Sequence, residues 1–423
     1  MAYWFEEPNI KAILPLALAD CVKGLNTLFK TPAFIMGFNV FPEGMVIGPT
    51  TADFIKVHAP KKRAFFVADE ISQRFANRTA KYFASNGFTT EIWPNAQPEV
   101  PIENVKECAN QMLAFEPDVI FAVGGGSVID GAKAAWILYE HPEIKDLTSE
   151  VSPLSLIGLR KKAFFVAVPT TSGTGSECTA VSVLHDTRTN RKVPIANAEL
   201  LPDVAILYPE FTVSMPPKLT VGTGLDALAH AMDAAVTPAG NEFTVAMSVA
   251  AIKLIFKYLP RAYKNGNDRE ARYRMMLAAS AAGVGFGQSG CALTHSLGHS
   301  VGALFHIHHG LAVGIFIPYC FQFYKPVTDK YLEICHGLRI EGNTEEESFQ
   351  NLINATKNLF CSLEVPLSLK ELGIPKEEFE THMPTLVRYS LEDIDTIFSP
   401  RPLTQKQCER LLWYAYEAKD VDF

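Results

Sequence analysis

The sequence predicts an α/β half followed by an all-helical half, and three observations carry that prediction. From about residue 64 to 208, short runs of β-branched or aromatic residues alternate with helical patterns, the rhythm of a parallel sheet built with crossover helices. After Pro216 strand-like runs become rare and helical periodicity takes over. Glycine-rich turns directly follow two of the strand-like runs, as they do at the ligand-binding edge of doubly wound sheets.

Taken in order, AFFVAD at 64–69 reads as a strand, 71–86 as a helix, TTEIW at 89–93 as a strand, 102–115 as a helix and DVIFAV at 118–123 as a strand, with a helix from Ser127. AFFVAV opens a further buried strand within 163–177. The turn-rich stretch YPEFTVSMPP, 208–217, marks a boundary, and helical patterns follow over 218–236, 241–264, 268–287 and 290–303. This gives an N-terminal extension at 1–40, an α/β domain at 41–212 and an all-helical domain at 213–423. A cleft between the two domains is expected to hold the chemistry, since small-molecule sites favour such interfaces.

Composition narrows the function. With 48% hydrophobic residues in a chain of 423, there is ample apolar side chain for a large core. The formal charge of −8, without any dense Lys/Arg cluster, argues against a nucleic-acid partner. Eight cysteines are scattered with no C-x-x-C pair, so they read as reduced thiols. The apolar run at 12–19 contains Pro15 and follows Glu6 and Glu7, unlike a signal peptide. The run at 311–321 is too short to span a bilayer. A cytoplasmic chain with no membrane partner is expected.

The first glycine turn, Gly124-Gly125-Gly126-Ser127, lies between a strand and a helix. Glycines there let backbone approach an anion, and the helix start turns free N–H groups and its positive dipole end toward it. A tight βα turn would give the same residues. Gly126 and Gly131 have P-loop spacing, but Ala132 stands where the adjacent lysine is required and Lys133 comes one place late. The strict G-x-G-x-x-G register is also absent, and G-x-G-x-G at 283–287 follows a helical alanine run that suits packing. The second turn, PTTSGTGSE, sets the hydroxyls of Thr170, Thr171, Thr174 and Ser176 beside flexible backbone, as a pyrophosphate or ribose would need, or simply as a loop bonded to itself. Asp69, ending its strand, is placed either to accept from ribose hydroxyls or to start the next helix.

Histidines concentrate in the second half. Asp226 and His230 are an i,i+4 pair on one helix face, His295 and His299 are another, and His309 follows in FHIHHG before Gly310. Three imidazoles and a carboxylate form a set suited to Fe²⁺ or Zn²⁺ and poorly suited to Ca²⁺ or Mg²⁺. His306 and His308 are surplus to a four-ligand site.

GGGSVID, PTTSGTGSE, PDVAILYPE, GLDALAH and His295-x₃-His299-x₉-His309-Gly310 resemble, in order and spacing, the iron-containing (group III) alcohol dehydrogenase family, from about residue 41 to the C-terminus. The resemblance implies a Rossmann-like parallel sheet with an all-α C-terminal domain, the dehydroquinate-synthase-like architecture. It implies Asp226, His230, His295 and His309 as metal ligands and His299 as a proton relay beside the nicotinamide. Gly125, Gly126, Ser127, Asp130, Thr170, Thr171, Thr174, Ser176 and Lys192 would hold the cofactor, and Asp69 would favour NAD(H) over NADP(H). It further implies a small alcohol or aldehyde substrate, Fe²⁺ with Zn²⁺ as the alternative ion, and a homodimer or larger homo-oligomer. Pro98-Glu99-Val100-Pro101 replaces the P-N-P turn of many relatives, and His308 replaces a proline.

Two rivals remain. A dehydroquinate-synthase-like lyase would need a basic pocket for a phosphorylated acid, which the sequence does not display. A non-catalytic nucleotide or metal sensor would bind cofactor without oxidising it.

Overall fold

The computed structural model describes residues 29–44, 47–153, 155–189 and 191–423. The described chain divides between Ser214 and Met215 into two compact units.

In the first unit, β1 (Ala33–Met36), α1 (Thr51–His58), β2 (Arg63–Val67), α2 (Gln73–Ser85), β3 (Thr89–Trp93), α3 (Ile102–Phe115), β4 (Val119–Gly124) and α4 (Gly126–Glu140) come first. A short α5 (Leu147–Glu150), β5 (Phe164–Pro169), the hairpin strands β6 (Val181–Asp186) and β7 (Arg191–Ala196), and β8 (Val204–Leu207) complete it. Six strands form one sheet in the order β1-β8-β5-β4-β2-β3, parallel throughout. Strand periodicity sorts the side chains. Phe65, Val67, Ile120, Ala122, Phe165 and Ala167 enter one apolar cluster with Trp136 of α4. Phe66, Phe121, Val123, Val166 and Val168 enter another with Phe83 of α2. Both faces are thus covered, which is why these strands read as unbroken apolar runs.

Part of the expected 1–40 extension belongs to the sheet: Ala33–Met36 pairs in register with Val204–Leu207 as its edge strand. The strand AFIM is only four residues long and carries no alternation that would mark it in the sequence. The part of the extension before Phe29 lies outside the described residues.

The chain leaves β2 toward β3 on one side and leaves β4 toward β5 on the other, so the strand order reverses between β2 and β4. Asp69 and both glycine turns follow the C-terminal ends of β2, β4 and β5, the edge where open α/β sheets bind ligands. Thr170 N–H donates to Gly124 O at 2.9 Å, tying the two turns together.

The second unit is helical: α6 (Pro217–Val236), α7 (Glu242–Lys264), α8 (Arg269–Ser289), α9 (Leu293–Phe305), α10 (His309–Gly314), α11 (Ile317–Tyr324), α12 (Tyr331–Leu338), α13 (Glu345–Ser362), α14 (Lys376–Glu392) and α15 (Gln405–Glu417). Every residue from Thr220 to Val236 is buried, so α6 is the central helix, as its Ala/Gly/Leu content all round the circumference allows. Helix α7 is the one described helix long and apolar enough to cross a bilayer. Its buried residues Thr244, Ser248, Ala251, Ile252, Ile255 and Leu259 recur at helical spacing, the pattern of a core helix with one inward face. Gly285, in the G-x-G-x-G run, is a packing glycine, because a Cβ there would stand 2.5 Å from Ser248 Oγ.

Candidate functional site

In the helical unit, glycines set the geometry before any polar group acts. A Cβ at Gly310 would lie 1.9 Å from the carbonyl oxygen of Gly222, and one at Gly298 would lie 2.6 Å from Val313 Cα. Helices α6, α9 and α10 therefore approach at a distance that only glycine permits. That approach brings the first residue of α10, His309, to α6, where its Nε2 sits 3.0 Å from Asp226 Oδ1. An oxygen of Asp226 and a ring nitrogen each of His295 and His309 all lie within 4.8 Å of one another. His230 joins them from the next turn of α6, with Nε2 3.9 Å from Asp226 Oδ1 and its ring stacked between Phe286 at 3.9 Å and His295 at 4.5 Å. All four residues that the resemblance implies as metal ligands are brought together.

Electrostatics marks this cluster as incomplete by itself. His230 Nδ1 and His295 Nε2 are buried without a hydrogen-bond partner, which costs about 1–3 kcal/mol per group unless something else satisfies it. Burial opposes ionisation of Asp226, but the imidazoles of His230 and His309 outweigh it and hold the carboxyl well below the usual range. Burial pushes His230 and His295 each down to about 3, so both rings are neutral and carry a free lone pair. A carboxylate and neutral imidazoles with unsatisfied, convergent atoms are the donor set of a borderline divalent cation, and the residues fit one.

Two further groups support the cluster, and the sequence reading missed both. Asp233 Oδ2 lies 3.1 Å from His295 Nδ1 and accepts from Ala292 N–H at 2.8 Å. With Nδ1 donating to a carboxylate, Nε2 is the nitrogen left to bind a metal. Asp233 follows His230 by three residues on the same helix face, a legible signal in GLDALAHAMD. Cys291, just before α9, places its sulfur within 4.8 Å of ring nitrogens of His230 and His295.

His299 is not part of the cluster of buried rings. Its side chain is 40% exposed, and Nδ1 stands 2.9 Å from Asp393 Oδ2 and 3.9 Å from Asp395 Oδ2. Burial opposes the charge on Asp393, yet the adjacent His299 wins and lowers it. Burial beside Asp393 pushes Asp395 up. His306 ends α9 in the left-handed conformation, at φ 53°, and the His308 ring packs on Gly222, where a Cβ would come within 2.6 Å. Both surplus histidines thus have structural places.

In the α/β unit, a Cβ at Gly124 would meet Val128 at 2.5 Å and one at Gly126 would meet Thr174 at 2.8 Å, whereas one at Gly125 would find only ordinary contact with Thr171 at 3.5 Å. Gly125 caps α4 in extended conformation, so the free N–H groups of that helix start at this turn. Ser127 is exposed and Thr171 and Thr174 are half-buried, while Thr170 and Ser176 are buried. The buried Ser172 hydroxyl, which the sequence reading did not single out, has no partner. Asp69 Oδ1 accepts from Ser72 N–H at 2.6 Å and from Ser72 Oγ, so this carboxylate starts the next helix while Oδ2 stays out of that turn.

Two expected cofactor contacts sit differently. Asp130 is turned inward, with Oδ2 accepting from Val183 N–H at 2.9 Å and Oδ1 buried. It supports the turn by fastening hairpin β6–β7 to α4 instead of reaching solvent. Lys133, one helical turn on, is fully buried and donates to Thr179 O at 2.8 Å and Val181 O at 2.9 Å. Burial, partly offset by Asp130, pushes it down to about 8. Lys192 is on β7 with its side chain 62% exposed, paired at 3.4 Å with Glu99 of the divergent Pro98–Pro101 turn.

Comparison with known proteins agrees with this arrangement. The iron-containing alcohol dehydrogenase family model matches residues 42–209, and the model of that family's C-terminal region matches 220–416. The NADPH-dependent butanol dehydrogenase of Clostridium saccharobutylicum is 36% identical over 385 residues, covering 90% of this chain and 98% of that protein. Aldehyde-alcohol dehydrogenase 2 of Entamoeba histolytica is 35% identical over 78% of this chain, which spans only 40% of that longer protein. Among solved structures, the iron-containing alcohol dehydrogenase of Thermococcus thioreducens superposes with TM-score 0.81 at 28% identity, over 93% of this chain and all of that one. A 1,3-propanediol oxidoreductase superposes with TM-score 0.83 at 26% identity, over 92% of this chain and all of that one. The chain belongs to the iron-containing alcohol dehydrogenase family, and with it to the oxidoreductases that act on alcohols.

Proposed function

We propose that this chain interconverts a small alcohol and its aldehyde with NAD(H), on a divalent ion held by Asp226, His230, His295 and His309. Fe²⁺ is the favoured ion, and the donor set also suits Zn²⁺. The observation that carries the proposal is the convergence of the buried Asp226 carboxylate and the unpartnered His295 Nε2 with His309. When bound, the ion supplies Lewis-acid polarisation of the substrate oxygen and the nicotinamide exchanges a hydride.

The remaining work falls to side chains. Asp233 keeps His295 in the tautomer that offers Nε2. His299 moves the proton: Asp393, 2.9 Å from its Nδ1, orients the ring to accept a proton from the alcohol or return it to the alkoxide in the reverse direction. The N-terminus of α4, with Gly125, Gly126 and Ser127, holds the pyrophosphate, and Thr170, Thr171, Thr174 and Ser176 line the same edge. Asp130 braces that turn, and Lys192 reaches the cofactor only by leaving Glu99.

Asp69, a carboxylate fixed at the end of β2 by Ser72, supports NAD(H), since a fixed negative charge repels a 2′-phosphate. The butanol dehydrogenase relative is named for NADPH, so the two cofactors are to be compared directly. The test is anaerobic oxidation of NADH and of NADPH over a panel of short aldehydes, with metal content measured on the same sample. Turnover that follows bound metal and prefers NADH is expected; cofactor binding without oxidation would mean a sensor instead. Cytosolic residence is supported by the free thiols, six of seven described cysteines being buried and none bridged. A homodimer or larger assembly is expected from the family resemblance, and sedimentation would test it.

A further inference from the structure

Two sets of donor atoms overlap in the helical unit and share His295. One is the Asp226, His295 and His309 set; the other is His230, His295 and the sulfur of Cys291, again within 4.8 Å of one another. All three residues of the second set are buried, and His230 Nδ1 and His295 Nε2 are buried nitrogens without a partner. Asp233 binds the N–H of Ala292 at 2.8 Å, next to Cys291, so the carboxylate that orients His295 also fixes the backbone carrying the thiol. Thiolate sulfur is a softer donor than carboxylate oxygen and favours zinc-like ions over iron(II). Two neutral imidazoles and a thiol are therefore a different ion's donor set from two imidazoles and a carboxylate.

We propose that Cys291 is a metal-ligating residue: with His230 and His295 it forms a sulfur-containing position for a thiophilic divalent cation of the zinc class, overlapping the oxygen-containing position through those two histidines. This rests on the reading of His230 and His295 as metal ligands. As the sulfur–metal bond forms, the S–H bond breaks and its proton leaves to solvent, with no change of oxidation state. The chain then sorts cations by softness. Iron(II) sits toward Asp226 and His309, and zinc sits toward Cys291.

The test uses the full-length protein stripped of metal and loaded with an equimolar amount of Co²⁺, whose thiolate complexes absorb strongly in the near ultraviolet. The wild type is expected to show that sulfur-to-cobalt band, and Cys291→Ser and Cys291→Ala are expected to lose it. In competition with a chromophoric chelator, both variants are expected to bind Zn²⁺ more weakly by at least about tenfold, the scale on which loss of even an outer partner is felt, with Fe²⁺ affinity changed much less. His309→Ala, which removes a donor only from the oxygen-containing set, is expected to keep the band. No band in the wild type, or one that survives in both Cys291 variants, overturns the proposal. His295→Ala separates the two levels of argument. If it retains Fe²⁺ and Co²⁺ alike, the underlying ligand reading fails; if it loses both while Cys291→Ser matches the wild type, only the role of Cys291 fails. Near-ultraviolet circular dichroism of each metal-free variant checks that the helices still pack.

Discussion

Nδ1 of His295 lies 3.1 Å from Oδ2 of Asp233, and that same oxygen accepts from the Ala292 N–H and the Thr294 hydroxyl. A buried carboxylate, itself held by two donors, dictates which ring nitrogen faces the neighbouring ligands. Asp233→Ala is expected to lower metal affinity about 10–100-fold, as loss of an orienting partner does, while the fold survives. Chelator competition measures this; an unchanged affinity would show that the ring needs no support.

The 2.9 Å approach of His299 Nδ1 to Asp393 predicts a different kinetic signature. Asp393→Asn is expected to reduce kcat by about 10²-fold, within the range of general acid–base assistance. The aldehyde KM should hardly move, because Asp393 works through His299. A loss confined to KM would place Asp393 in substrate binding.

Lys133 gives a pH dependence whose sign can be worked out. Its folded pKa, about 8, is below its ordinary 10.5, so between those values the unfolded chain holds a proton that the folded chain releases. Unfolding free energy therefore rises with pH across that window, by at most about 1.4 kcal/mol per pH unit from this group. Below the window both states are protonated and the cost of burying the ammonium is fully present. Urea unfolding of wild type and Lys133→Met at a series of pH values checks it: the variant should lack the alkaline rise. Parallel curves would mean that Lys133 is not the source.

The two central glycines of the first turn should respond unequally. Gly126→Ala drives a methyl to 2.8 Å from Thr174, whereas Gly125→Ala makes ordinary contact at 3.5 Å. Gly126→Ala is expected to cost about 1–3 kcal/mol of stability by overpacking. Gly125→Ala should leave stability within about 0.5 kcal/mol while weakening NADH binding, because the added methyl stands where backbone meets the phosphate. Thermal melts and NADH fluorescence titration distinguish them. Equal melting and equal binding in Gly125→Ala would remove that turn from the nucleotide site.

Much of this was legible because the signals are local. The buried strands β4 and β5 read as unbroken apolar runs, and the pairs Asp226/His230 and His295/His299 read as helix faces from spacing alone. What escaped depends on packing between distant segments. Asp393 reaches His299 because the end of α14 lies against α9, and nothing in LEDID announces it. Cys291 looked like one of eight scattered thiols until the start of α9 placed it beside two imidazoles. Asp130 has the residue type of a cofactor contact, and only its inward rotamer shows that it anchors hairpin β6–β7. Edge strand β1 is four residues long, too short for alternation to be visible.

The contact of Gly310 with the Gly222 carbonyl has one more effect. With main chain pressed against main chain, the wall beneath His309 is stiff, yet the imidazole above it is 44% exposed, against 4% for Asp226 and 7% for His230. Of the four candidate donors its side chain is the most exposed. His309 is therefore the face that this donor cluster turns to solvent, seated on a backbone wall that has no room for a side chain.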